Sequence, residues 1–348
     1  MIFLNQRLFS SDHYAIDFFK SPCPNHRVVV TFTEFTSRDL EGLGFGGRFL
    51  LNNGFDVVAV KSDVDRWYQD LDPAAIQAVN DFLDHRPERH ISRVGYGSSM
   101  GGYAVFLFAG VLDLDVAFAI SPQFDITLDI DTRWAEHIEG EMRTLASDDV
   151  GRKCRYVTVF DPMDADRCHI DLFRAVIPSE QFHTIGVRYS GHPAGHTLIY
   201  SGVLKDVAAG VLSGKIPPMP YGDIVKGARQ SPLYLFRLAQ VCHARKRLAA
   251  ATSLITSAIE KQALNAEHYI LAAKIASESG DLNLALQRAG AAVALMPEHP
   301  HMVAFLADVL VRCQKYSAAI HYYDRALSMV HVSAWARHRD ELVNALSA

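Results

Sequence analysis

Two different patterns of apolar and polar residues divide the chain. Up to about residue 221, short β-branched and aromatic runs alternate with stretches of helical periodicity, and the later runs are continuously apolar. Strands buried on both faces have such runs, and strand–helix alternation predicts a parallel sheet with right-handed crossovers. We predict eight strands, at residues 2–9, 15–19, 27–33, 56–61, 92–96, 115–120, 155–160 and 183–189, and helices that include residues 45–52, 73–83, 100–110 and 198–212.

The pattern changes after residues 216–220, a proline-rich run that we interpret as a linker. Beyond it the chain is helical throughout, and small residues recur at a spacing of 34 in three columns: Ala239, Ala273 and Ala307; Ala251, Ala285 and Ala319; Ala258, Ala292 and Ala326. Small residues at a fixed period allow paired helices to pack closely. We therefore predict two domains, residues 1–221 and 222–348. The second holds helix pairs at 232–265, 266–299 and 300–333 and a capping helix at 334–347.

The 34-residue register resembles that of the tetratricopeptide repeats. The resemblance is incomplete, because the position typical of tryptophan holds Leu235, Tyr269 and Val303, and the terminal proline occurs only as Pro297. The resemblance implies a stack of helix pairs that binds a protein partner.

A second motif lies near the end of the first third of the chain. Gly97-Ser98-Ser99-Met100-Gly101 fits the pattern G-x-S-x-G, with a predicted strand before it and an apolar helix after it. A serine at a sharp strand-to-helix turn is held in an exposed, strained position, and the glycines allow the strand and the helix to pass closely. The motif alone is weak, since similar turns occur in packing and nucleotide sites.

The motif and the strand plan together resemble the α/β-hydrolase superfamily, over nearly all of the first domain. The resemblance implies a mostly parallel eight-stranded sheet flanked by helices, with Ser99 as the nucleophile of a Ser-Asp-His triad. The acid then follows the strand at 155–160, and the base follows the last strand. No cofactor and no metal are expected.

Both positions hold candidates. By alignment of the strand ends with the superfamily pattern, Asp164 is the preferred acid and Asp161 the alternative, while Asp166 is assigned to an ion pair with Arg167. For the base we prefer His192, which follows Gly191 as the superfamily's histidine often does, over His196.

The resemblance also implies roles for residues near the serine. The oxyanion hole is expected to use the backbone N–H groups of Met100 and Phe35. Trp67 and Tyr68, after the fourth strand, are candidates for binding a polar or glycan-like ester, or for supporting the site as packed aromatics. The charged segment 122–154 has the length of a lid and lacks the apolar character of a lipase lid.

Composition indicates the cellular compartment and disfavours two classes of partner. The five cysteines are scattered and odd in number, which indicates reduced thiols and a cytoplasmic protein. No apolar run is long enough to cross a membrane, and a net charge of −5 disfavours binding to nucleic acid.

The sequence therefore predicts a serine hydrolase that cleaves a small-molecule ester and carries a protein-binding repeat domain. Two alternatives stay open: an acyltransferase that uses the same triad, and a non-catalytic scaffold that retains the hydrolase fold.

Overall fold

The computed structural model describes residues 5–86, 90–215 and 221–347. The chain divides into two compact units, Met1–Gly227 and Ala228–Ala348. The boundary thus lies six residues beyond the one predicted from the sequence. The linker predicted at 216–220 lies outside the described residues.

A single eight-stranded sheet forms the centre of the first unit. Its strands are β1 Asn5–Ser10, β2 Tyr14–Phe19, β3 Arg27–Phe32, β4 Asp56–Ser62, β5 Ser92–Ser98, β6 Val116–Ile120, β7 Arg155–Phe160 and β8 Phe182–Gly186. Their order in the sheet is β1-β2-β4-β3-β5-β6-β7-β8. Strand β2 is antiparallel to β1 and β4, and every other neighbouring pair is parallel.

Buried residues alternate between the two faces of this sheet, as the pleat requires. On β3, Val28 and Val30 join one hydrophobic cluster, and Val29 between them joins the other. The first unit therefore has a core on each side of the sheet, which explains why its central strands are apolar without interruption.

Seven helices accompany the sheet in the described ranges: α1 Gly47–Asn52, α2 Pro73–Asp84, α3 Met100–Leu107, α4 Asp166–Val176, α5 Gly195–Tyr200, α6 Leu204–Leu212 and α7 Tyr221–Ala228. The single helix predicted at 198–212 is two helices, because Gly202 between them has φ +73, a left-handed conformation that ends a helix. Segment 121–154 contains only two short 3₁₀ turns, Ala135–His137 and Ser147–Asp149.

Helix pairs make up the second unit. They are α8 Pro232–Ala244 with α9 Leu248–Lys261, α10 Ala266–Glu278 with α11 Leu282–Leu295, and α12 Pro300–Arg312 with α13 Tyr316–Met329, followed by α14 Ser333–Ser347. Each pair falls within one of the 34-residue windows read from the sequence. The alanines of all three columns are completely buried, as close helix contact requires.

Candidate active site

Ser99 lies at the turn between β5 and α3, at the carboxyl edge of the sheet. Its backbone has φ 52 and ψ −119, a strained conformation for a residue with a side chain. Only glycine fits at two neighbouring positions. A Cβ on Gly97 would lie 2.4 Å from the carbonyl oxygen of Gly101, and a Cβ on Gly101 would lie 2.4 Å from that of Phe32. The glycines of the motif therefore permit the turn that presents Ser99.

A histidine from the loop after β8 contacts the serine. The Nε2 atom of His192 lies 2.8 Å from Ser99 Oγ. Its Nδ1 atom lies 2.8 Å from Oδ1 of Asp166. Both residues are shielded from solvent, with 5% of the His192 side chain and 1% of the Asp166 side chain exposed. Serine, imidazole and carboxylate thus form a continuous chain of hydrogen-bonding groups.

The carboxylate in contact with His192 belongs to Asp166, whereas the sequence analysis preferred Asp164 and then Asp161. The turn after β7 is longer than the strand-end alignment assumed, and Asp166 is the first residue of α4. The sequence analysis also expected an ion pair of Asp166 with Arg167. In the structure Asp166 lies 3.2 Å from Arg133, and Arg167 lies 3.7 Å from Asp171. Burial works to raise the pKa of Asp166, but His192, Ser121 and Arg133 together hold that pKa below its ordinary value.

Asp161, in the same turn, binds backbone N–H groups. Its carboxylate accepts hydrogen bonds from the backbone N–H groups of Met163 at 2.9 Å, Tyr189 at 3.0 Å and Gly191 at 2.8 Å. It therefore connects the loop after β7 to the loop that carries His192. Burial outweighs these bonds and raises the pKa of Asp161.

Asp164 faces Arg133, a residue of segment 121–154. The Arg133 guanidinium lies 2.8 Å from Asp164 and 3.2 Å from Asp166. It donates to the buried Asp131 through Nε at 2.7 Å and Nη2 at 2.6 Å. Burial opposes ionisation of Asp131, yet His169 and Arg133 hold its pKa well below the usual range. One arginine thus joins three aspartates.

Gln123 adds a polar contact that the sequence analysis did not select. Its Oε1 atom accepts a hydrogen bond from Trp67 Nε1 at 3.2 Å and lies 3.3 Å from Ser99 Oγ. Its Nε2 atom lies 3.5 Å from Nε2 of His192. Gln123 follows β6, whose carboxyl end adjoins that of β5. Its place after this strand is the sequence signal by which Gln123 could have been found.

The two aromatic candidates are both buried, which corrects their assignment to substrate binding. Trp67 has no exposed surface and Tyr68 has 3%. The hydroxyl of Tyr68 donates to the carbonyl of Thr33 at 2.9 Å. The polar atoms of both rings are therefore occupied within the protein, Trp67 supports the site through Gln123, and the packed-aromatic alternative describes these residues.

The remaining predicted residues are His196, Met100 and Phe35. His196 is in α5 and is exposed, and it is His192 that contacts Ser99. Met100 is the first residue of α3, so its N–H is among the amides at a helix start that have no intrahelical partner. Phe35 follows β3, and its ring packs 5.6 Å from that of Trp67 and 5.0 Å from that of His137.

Segment 121–154 covers part of this site. The ring of Trp134 lies 4.6 Å from the ring of His192. Ile126 and Leu145 anchor the segment in the core of the first unit. Residues 122–154, which sequence length suggested as a lid, therefore pack against His192 through Trp134.

The described ranges also bear on metal binding and on membrane insertion. In those ranges no group of three or more His, Cys, Asp or Glu side chains could hold a metal ion. Nor does any helix there have the length and apolarity to cross a bilayer.

Comparisons with known proteins gave matches among solved structures only. No family model and no curated protein matches the chain. Similar structures include the first TPR of Spaghetti (RPAP3) bound to HSP90 peptide SRMEEVD, with a TM-score of 0.33 and 16% identity over 34% of this chain and 96% of that one. The Sgt2 TPR domain from Aspergillus fumigatus has a TM-score of 0.31 and 20% identity over 37% of this chain and 82% of that one. These TM-scores are too low to support an argument from structural similarity. The assignment of a repeat architecture is therefore based on the helix pairs of this structure.

Proposed function

We propose that the first unit is a serine hydrolase of the α/β-hydrolase type that cleaves an ester or thioester. The observation that carries the proposal is the contact chain from Ser99 through His192 to Asp166, with 2.8 Å at each step. Its strand order and the strained serine turn after β5 also agree with that superfamily's plan.

The chemistry follows from the roles of the three groups. His192 Nε2 takes the proton of Ser99 as Oγ attacks the acyl carbon, and returns it to the leaving alcohol or thiol. Asp166 orients the imidazole through Nδ1 and stabilises the imidazolium. The amide N–H groups of Met100 and Phe35 are proposed to bind the developing oxyanion. Water then releases the acyl group from Ser99.

A cavity at the loop after β3 bears on the choice of substrate. Phe35, the second proposed oxyanion donor, borders this cavity of about 560 Å³, whose walls include polar Glu34, Thr36, Ser37 and Asp39 and apolar Leu43 and Phe45. Hydroxyl and carboxylate groups suit a hydroxylated or cationic substrate better than a long alkyl chain. We therefore propose a small polar ester, with glycan-like esters included.

A fluorophosphonate probe tests the nucleophile directly, because it reacts covalently with an activated serine. The wild-type protein should be labelled and Ser99→Ala should not. Ser98→Ala is the matched control, since Ser98 is the neighbouring residue and ends β5, and it should be labelled as the wild type is. Equal labelling of all three proteins would contradict the triad, and a folded, unlabelled wild type would favour the scaffold alternative.

We infer that the second unit binds a protein partner. A cavity of about 360 Å³ is lined by α10, α12 and α14, among them Glu267, Lys274, Asp308 and Trp335. A photo-crosslinker at the exposed Lys274 should capture the partner, and one at the exposed Gln287 of α11 is the matched control. Equal capture from both positions would argue against this cavity as the binding surface.

A further inference from the structure

Arg133 occupies a central position behind the proposed acid. Three carboxylates surround its guanidinium: Asp131 at 2.6 Å, Asp164 at 2.8 Å and Asp166 at 3.2 Å. The Asp131 and Asp166 side chains are almost completely buried, with 2% and 1% exposed. Buried charges of one sign repel strongly unless a counter-charge lies between them. Arg133 supplies that counter-charge.

The same arginine also reaches the base from a second direction. Its guanidinium lies over the ring of Trp134, 4.4 Å from the ring centre, and Trp134 packs 4.6 Å from His192. Arg133 therefore contacts a neighbour of the imidazole on one side and the carboxylate partner of the imidazole on the other. A planar guanidinium with several donors suits this combined stacking and forked hydrogen bonding better than an ammonium group does.

Negative groups outnumber positive ones around Asp166 and His192, and Arg133 reduces that excess. Asp161, in the loop after β7, accepts a hydrogen bond from the N–H of Gly191 beside His192. His196 lies in α5, the helix that follows His192, and His169 of α4 lies 3.4 Å from Asp131. The titratable and charged groups that face Asp166 and His192 are thus Asp131, Asp161, Asp164, His169, His196 and Arg133. Arg133 is the permanent cation among them.

We propose that Arg133 is a positioning residue: it holds Asp166 against His192 and offsets part of the charge of Asp131, Asp164 and Asp166. The role of Arg133 in catalysis rests on the proposed serine hydrolase. Its effect on the contact between Asp166 and His192 does not depend on any reaction.

Proton NMR on the full chain tests this positioning by following the resonance of the His192 Nδ1 proton, which a hydrogen bond to a buried carboxylate moves downfield. Arg133→Met should move that resonance upfield or broaden it beyond detection, because Asp166 is then no longer held against the ring. Arg133→Lys keeps the charge and should restore part of the wild-type resonance. The matched control is Arg167→Met, which removes the same charge from an exposed side chain of α4 and should leave the resonance unchanged.

Asp131→Asn keeps the inference testable if Arg133→Met fails to fold. It weakens the contacts that hold the Arg133 guanidinium, so the Nδ1 resonance should shift in the same direction by a smaller amount. A resonance that matches that of Arg167→Met in both variants would overturn the inference. The hydrolase proposal is judged separately by fluorophosphonate labelling, so an unlabelled protein whose Nδ1 resonance still depends on Arg133 would refute that proposal alone.

Discussion

At the residue scale, the choice among the aspartates after β7 depends on where one helix begins. The sequence places Asp161, Asp164 and Asp166 at the correct sheet edge, because a loop that follows a parallel strand must emerge there. It does not show the conformation of the turn. Asp161 accepts hydrogen bonds from three backbone N–H groups, Asp164 faces Arg133, and Asp166, the first residue of α4, contacts His192.

Substitution of Asp166, the acid of the proposed triad, distinguishes these roles. In that proposal Asp166→Asn removes the charge that stabilises the imidazolium, and loss of this group typically costs a triad about 10⁴-fold in turnover. We expect the labelling rate of Ser99 by a fluorophosphonate to fall by several orders of magnitude. Asp164→Asn is the control, with an expected loss of less than about tenfold, because Asp164 acts on Arg133 rather than on His192. A larger loss in Asp164→Asn than in Asp166→Asn would restore the assignment made from the sequence.

Other residues of the site could not be found from local patterns. Arg133, Trp134 and Asp131 lie in a segment with little regular structure, and only its packing against the loop of His192 brings them to the site. Trp67 and Tyr68 are found by sequence position, but their burial depends on the packing of neighbouring loops. Aromatic character alone therefore did not distinguish support from substrate contact.

At the scale of elements, the prediction is most accurate where the sequence period is strong. The strands of the first unit and the helix pairs of the second unit lie within a few residues of their predicted positions, because burial on both faces and close helix contact constrain residue type. The break between α5 and α6 depends on one left-handed glycine, which a window of helical periodicity does not detect.

The crossing of α3 over β3 gives a prediction at this scale. In Gly101→Ala the new Cβ would lie 2.4 Å from the carbonyl oxygen of Phe32, a backbone atom that cannot move aside. Overpacking of this kind costs about 1–3 kcal/mol or more, and the urea midpoint of the first unit should fall accordingly.

Gly102→Ala in the same helix is the matched variant for that measurement. Its nearest contacts are the Cβ of Ala119 and the carbonyl oxygen of Ile120, both at 3.3 Å. A shift of a few tenths of an ångström relieves them, and alanine gains about 0.5–1 kcal/mol over glycine inside a helix. Its midpoint should therefore stay close to that of the wild type. Identical midpoints for the two alanine variants would mean that the close approach of α3 to β3 does not constrain residue 101.

At the scale of the whole molecule, two units with different construction share one chain. The change from strand–helix alternation to a 34-residue period reveals the division, but the exact boundary depends on packing. Ile224 of α7 belongs to the core that also contains Leu198 and Val207, so α7 is part of the first unit. Tertiary contacts of this kind are not visible in the local sequence.

The second unit has its own core, and this leads to a prediction about its alanine columns. Ala285 of α11 is completely buried in a cluster with residues of α10, α12 and α13. In Ala285→Leu the larger side chain should destabilise this unit by about 1–3 kcal/mol. Hydrogen exchange of α11 peptides, read by mass spectrometry, should accelerate, because exchange of core amides follows the opening free energy of their own unit.

Gly290→Ala provides the matched change in the same helix, with the opposite expected sign. No atom lies within 4 Å of a Cβ built at Gly290, so alanine should stabilise α11 by about 0.5–1 kcal/mol and slow its exchange. Peptides from α3 report on the first unit in the same experiment and should exchange at the wild-type rate in both variants. If Ala285→Leu leaves α11 exchange unchanged, then close helix contact does not explain the 34-residue columns, because a packed contact at this position has no space for three more carbon atoms.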